Sequence, residues 1–102
     1  MVKIMARKFL ALTCIQVRDP LEALNQAATF CEARGEIVKR TASAITAMFE
    51  EDYQGTRVKI KIKHLDIEEA PDEHVLDVTR RSGDPILFVN VFRALREICG
   101  SS

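Results

Sequence analysis

Residues 57–63 read Arg-Val-Lys-Ile-Lys-Ile-Lys, and this alternation limits the fold more than any other stretch of the chain. In an extended strand, Val58, Ile60 and Ile62 share one face, and Arg57, Lys59, Lys61 and Lys63 share the other. A strand so polarised belongs in a sheet that is covered on one side and open on the other. Like charges in a row repel, so the lysine face must meet solvent or an anionic partner. Lysines in such a place also discourage edge-to-edge aggregation. After Lys63 the apolar positions change parity, to Leu65 and Ile67, which predicts a bulge near His64.

The cover for the apolar face is also legible. Asp19-Pro20-Leu21-Glu22 is a helix start, with Asp19 as N-cap, Pro20 at the first helical position and Glu22 completing a capping-box-like pair. Leu21, Leu24, Ala28 and Cys31 recur at helical spacing, widened by Ala27 and Phe30, and Gly35 suits a left-handed helix end. Asp84-Pro85 repeats the same start near the end of the chain. Phe88, Val91, Phe92, Leu95, Ile98 and Cys99 follow as one apolar stripe, read as core. Strands are expected over 8–17, 36–40, 43–50, 57–63 and 74–81, with an acidic, proline-containing loop over 68–73. The expected order is β-α-β-β-β-β-α in a single α+β domain, with two helices packed on one face of a mostly antiparallel sheet. The domain spans 8–99. Residues 1–7 are set aside as an N-terminal lead, and 100–102 as a frayed C-terminus.

Size and charge narrow the function classes. The chain has 102 residues, enough for one core, and 47% of them are hydrophobic, so wholesale disorder is not expected. Fifteen basic residues balance fifteen acidic ones. A general nucleic-acid binder needs a basic surplus, so no nucleic-acid partner is expected. No apolar run is long enough for a transmembrane segment. Cys14, Cys31 and Cys99 lack any CxxC spacing and read as buried thiols in a reducing, cytoplasmic setting.

No catalytic pattern emerges. Thr41, Ser43 and Ser82 have no base at a defensible spacing, and Gly35, Gly55, Gly83 and Gly100 are too scattered for a phosphate-cradling loop. His64 and His74 flank the acidic segment; a pH-sensing or metal role is the alternative, but each is isolated in sequence and no metal-ligand spacing joins them, so they read as ordinary surface or bulge residues. The expectation is therefore a non-enzyme with no cofactor and no metal.

The closing segment carries a resemblance. Asp77, Arg80, Arg81, Ser82, Gly83 and Asp84, followed by Phe88 and Phe92, make a strand that ends in two arginines, a tight turn and a helix. This resembles the kinase-associated-1 domain at the C-termini of MARK-type and related Ser/Thr protein kinases. Thr79 departs from a common aromatic there, and Pro85 from a usual serine. The first half of the chain matches only in its order of elements.

The resemblance implies a non-catalytic regulatory module that binds anionic phospholipids, such as phosphatidylserine and phosphoinositides. It also implies autoinhibition of a parent kinase domain in cis, and a peripheral location at the inner face of the plasma membrane. The implied lipid-binding residues are Arg80, Arg81, Lys59, Lys61, Lys63, Lys39 and Arg40. Arg80 and Arg81 are expected to dominate, because they stand beside a helix N-terminus where a phosphate can be seated. The alternative is a protein-interaction or autoinhibitory domain without lipid binding, for which the acidic 68–73 segment is the natural docking element.

Overall fold

The computed structural model describes residues 3–5, 13–51, 55–68 and 70–100. The elements are β1 (Lys3–Met5), β2 (Cys14–Val17), α1 (Pro20–Arg34), β3 (Glu36–Arg40), β4 (Ala44–Glu51), β5 (Thr56–Ile67), β6 (Ala70–Gly83) and α2 (Pro85–Cys99). From β2 onward this is the expected β-α-β-β-β-β-α order. The sheet runs β2-β6-β5-β4-β3, antiparallel throughout, and β1 adds a short parallel pairing to β5. Residues 3–5 of the N-terminal lead are thus part of the sheet. The expected first strand is described only from Cys14, because residues 6–12 lie outside the described residues.

The long β5 organises the sheet. Its first two-thirds pair with β4, from Thr56 opposite Glu51 to Lys63 opposite Ala44. Where β4 ends, β1 takes over the same edge at Leu65–Ile67. The expected bulge near His64 is absent: β5 and β6 pair without interruption from Ile60–Arg80 to Asp66–His74. The parity change instead sends Leu65 and Ile67 to the face away from the helices. There they meet Val75, with Cys14 and Ala70 at the margin, in a second small cluster. Both faces of this end of the sheet are therefore apolar in part, and no slip in register is needed.

Both helices cover the other face. Ile45, Ala47 and Phe49 of β4, Val58, Ile60 and Ile62 of β5, Leu76 and Val78 of β6, and Ile15 and Val17 of β2 form one core with the helices. From α1 come Ala23, Leu24, Ala27, Ala28, Phe30 and Cys31, and from α2 Leu87, Val91, Phe92, Leu95 and Cys99. The apolar stripes shift slightly from their expected positions. Leu21 is 66% exposed and Ile98 38%, while Leu87 turns inward. Both caps form as expected: Asp19 Oδ1 accepts from the Glu22 amide, and Asp84 Oδ1 from the Ile86 amide, each at 3.1 Å.

Two details of the turns differ from expectation. Gly35 ends α1 in an extended conformation (φ −154°), not a left-handed one. Glycine is needed there because a Cβ would collide with the Met48 carbonyl oxygen and the Phe49 ring of β4. The acidic 68–73 segment is not a free loop. Ile67 pairs with Ala70, and Pro71, Asp72 and Glu73 bulge out before pairing resumes at His74. Proline is tolerated at such a bulge because no ladder bond is required of it.

Candidate functional site

The helix-free face of the sheet collects the basic residues. Lys59, Lys61 and Lys63 of β5 lie opposite Met48, Thr46 and Ala44 of β4, and opposite Ser82, Thr79 and Asp77 of β6. Their ladder neighbours are neutral except for Asp77, which is nearly buried and accepts a weak bond from the Cys14 thiol at 3.7 Å. Arg57 is spent within the sheet, since it pairs with Glu50 directly across the ladder at 3.3 Å. Among the described residues, none of Lys39, Lys59, Lys61 and Lys63 takes part in an ion pair.

A bulge in β3 brings Lys39 to the same face. Ile37 pairs with Ala47, and the register then shifts so that Lys39 pairs with Thr46 and Arg40 with Ile45. Without the extra residue, Val38, strict alternation would turn Lys39 toward the helices. The result is a depression of about 270 Å³ lined by Lys39, Lys61, Lys63, Thr41, Ser43, Thr46, Ala44 and His64. Three ammonium groups and three hydroxyls make a donor-rich surface suited to a phosphate or carboxylate. Lys59 continues the basic row along β5.

The remaining candidate residues lie elsewhere. Arg40 turns to the helix side, where its guanidinium donates to Asn25 Oδ1 of α1 at 2.7 Å. Arg80 pairs with Ile60, so it too leaves the lysine face, and it donates to the Gly83 carbonyl at 2.7 Å. Arg81 is the extra residue of a second bulge, between the Lys59–Ser82 and Ile60–Arg80 pairs, and is exposed. The α2 N-terminus beside it is already capped by the Asp84 carboxylate. A seat for an anion at that helix end is thus taken by the protein's own carboxylate. The geometry shifts the weight from the arginine pair to Lys39, Lys61 and Lys63.

A second polar cluster joins the two histidines that read from the sequence as ordinary surface or bulge residues. The β5–β6 hairpin sets Asp66 opposite His74, and His64 lies two residues back on the same face. His74 Nδ1 is 2.6 Å and His64 Nε2 3.0 Å from the same oxygen, Asp66 Oδ1. The two ring nitrogens are 3.3 Å apart, with the rings edge to face. The Asp66 carboxyl is held below its usual range, chiefly by the His74 hydrogen bond. The only signal in the sequence is His-x-Asp on a strand. It gains meaning once the hairpin register places His74 across from it.

The cysteines are not part of either cluster. None of the three is in a disulfide among the described residues; Cys31 and Cys99 are buried as expected, whereas Cys14 is only half-buried. Burial pushes the Cys31 thiol up to about 12 and the Cys99 thiol up to about 11. Among the described residues, no helix is long and apolar enough to cross a membrane. No protein-family model matches the chain, and no curated protein matches it.

Proposed function

We propose that this domain is a non-catalytic regulatory module that docks on anionic phospholipid surfaces through the helix-free face of its sheet. The observation that carries the reading is the convergence of Lys39, Lys61 and Lys63, with three hydroxyl side chains, around one open depression. Lys59 extends the same face. Each lysine near an anionic leaflet contributes on the order of 1 kcal/mol, so four together supply about 4 kcal/mol. That is sufficient for a reversible peripheral anchor, and it weakens as salt screens the charges. The resemblance of the closing strand and helix to kinase-associated-1 domains supports the same reading. It adds a Ser/Thr kinase as the parent protein and its kinase domain as a partner in cis.

Sedimentation with phosphatidylcholine vesicles, with and without phosphatidylserine or a phosphoinositide, tests the reading. Binding is expected only with the anionic lipid, and it should fall steeply between low and physiological salt. Equal, negligible binding to neutral and anionic vesicles at low salt would leave the protein-interaction alternative. In that case the isolated parent kinase domain is the partner to assay in trans.

A further inference from the structure

We propose that His64, Asp66 and His74 form a binding site for one divalent transition-metal ion of the zinc class, at the tip of the β5–β6 hairpin. The three candidate ligand atoms, His64 Nε2, Asp66 Oδ1 and His74 Nδ1, lie within 4.8 Å of one another. Their separations are 3.0, 2.6 and 3.3 Å. Atoms so spaced share a common point at the usual zinc–nitrogen and zinc–oxygen distances of about 2.0–2.2 Å. The 3.3 Å edge already matches a tetrahedral ion, whose ligand atoms stand about 3.3 Å apart, and binding opens the 3.0 Å edge by about 0.3 Å and the 2.6 Å edge by about 0.7 Å.

The hydrogen bonding within the cluster argues the same way. The ionised Asp66 carboxylate can only accept, so each imidazole nitrogen facing it must carry a proton to bond it. Two N–H groups would then aim at one oxygen with their nitrogens only 3.3 Å apart. A cation in place of those two protons lets all three atoms present lone pairs to one centre. Two imidazoles and a carboxylate suit zinc, copper(II) or nickel, whereas magnesium and calcium select oxygen ligands.

Access and rigidity fit as well. The His64, His74 and Asp66 side chains are 12%, 22% and 34% exposed, so the ion has a way in and water can complete its coordination. Two ligands come from β5 and one from β6, on strands fixed by the Asp66–His74 pairing. Metal binding would therefore tie the two strands together close to their turn.

The untagged 102-residue protein, stripped with a chelator and titrated with zinc or cobalt(II), tests the site. One ion per chain is expected, with a rise in melting temperature. The cobalt spectrum should be that of a nitrogen–oxygen site, without intense sulfur charge-transfer bands. Asp66→Asn and His74→Asn should each lose the binding and keep the far-ultraviolet circular dichroism. His64 and His74 are the only histidines in the chain. Zinc should therefore shield both from carbethoxylation by diethyl pyrocarbonate in the unaltered protein, a readout that does not depend on any variant folding. No shielding, thiolate bands in the cobalt spectrum, or variants that bind as the unaltered protein does would each overturn the proposal.

Discussion

Asp84 donates its amide to the carbonyl oxygen of Arg57 at 2.8 Å, and this bond joins the entry of α2 to the start of β5. The contact exists because Gly83, just before it, has no side chain. Gly83 has φ +100°, and a Cβ there would collide with the same Arg57 oxygen and with Val58 Cα. Two independent constraints, left-handed backbone and close strand approach, thus fall on one residue of the turn that aims α2 across the sheet.

Gly83→Ala is accordingly expected to destabilise the domain by about 2 kcal/mol or more, from backbone strain together with the collision. Gly55 also has positive φ, but nothing lies within 4 Å of where its Cβ would be. Gly55→Ala should cost less, on the order of 1 kcal/mol. Urea denaturation of both variants checks the ranking.

The lysine depression predicts an ordering of binding variants. Lys61→Ala with Lys63→Ala removes about 2 kcal/mol of attraction to an anionic leaflet, a loss of about thirtyfold in affinity. Arg80→Ala with Arg81→Ala should lose less, because Arg80 is bonded to the Gly83 carbonyl and the neighbouring helix end is capped by Asp84. Vesicle sedimentation of both pairs, with circular dichroism as the folding control, reads this directly. If the arginine pair loses more while remaining folded, the anion site belongs at the turn and not on the open face.

Asp66 predicts a pH effect in metal-free protein. Its folded pKa lies below the ordinary value of 3.8, chiefly through the His74 hydrogen bond. A depressed carboxyl stabilises the fold above its unfolded pKa, and that contribution is lost as pH falls through the folded value. Asp66→Asn should therefore lower the melting temperature at neutral pH in the presence of a chelator. The gap from the unaltered protein should close below about pH 4. A gap that is constant from pH 7 to pH 3 would count against an ionised Asp66 as its source.

Cys31 and Cys99 should resist alkylation in the folded protein. Both are fully buried, and burial raises their thiols far above neutral pH, so neither access nor thiolate is available. Iodoacetamide at neutral pH, followed by peptide mass mapping, should modify them only after denaturant is added. Rapid labelling without denaturant would mean that the α1–α2 core opens readily.

Much of the architecture follows from local pattern. The alternation over 57–63 sorts Val58, Ile60 and Ile62 from the lysines, and the two Asp-Pro pairs begin both helices, because periodicity and capping depend on near neighbours in the chain. Strand pairing does not. The run Leu65-Asp66-Ile67 reads as a slip after Lys63, yet the ladder is regular past His64 as far as the Asp66–His74 pair, the bulge lies on β6 at Pro71–Glu73, and the opposite face of the sheet receives its own apolar cluster. Lys39 reaches the lysine face only because β3 bulges at Val38, and the same bulge turns Arg40 toward Asn25. His64 and His74 are ten residues apart in sequence, and only the hairpin register brings them to one Asp66 oxygen. A one-residue change in register reverses the face of every side chain beyond it, so which charges and ligands meet was decided by the tertiary pairing.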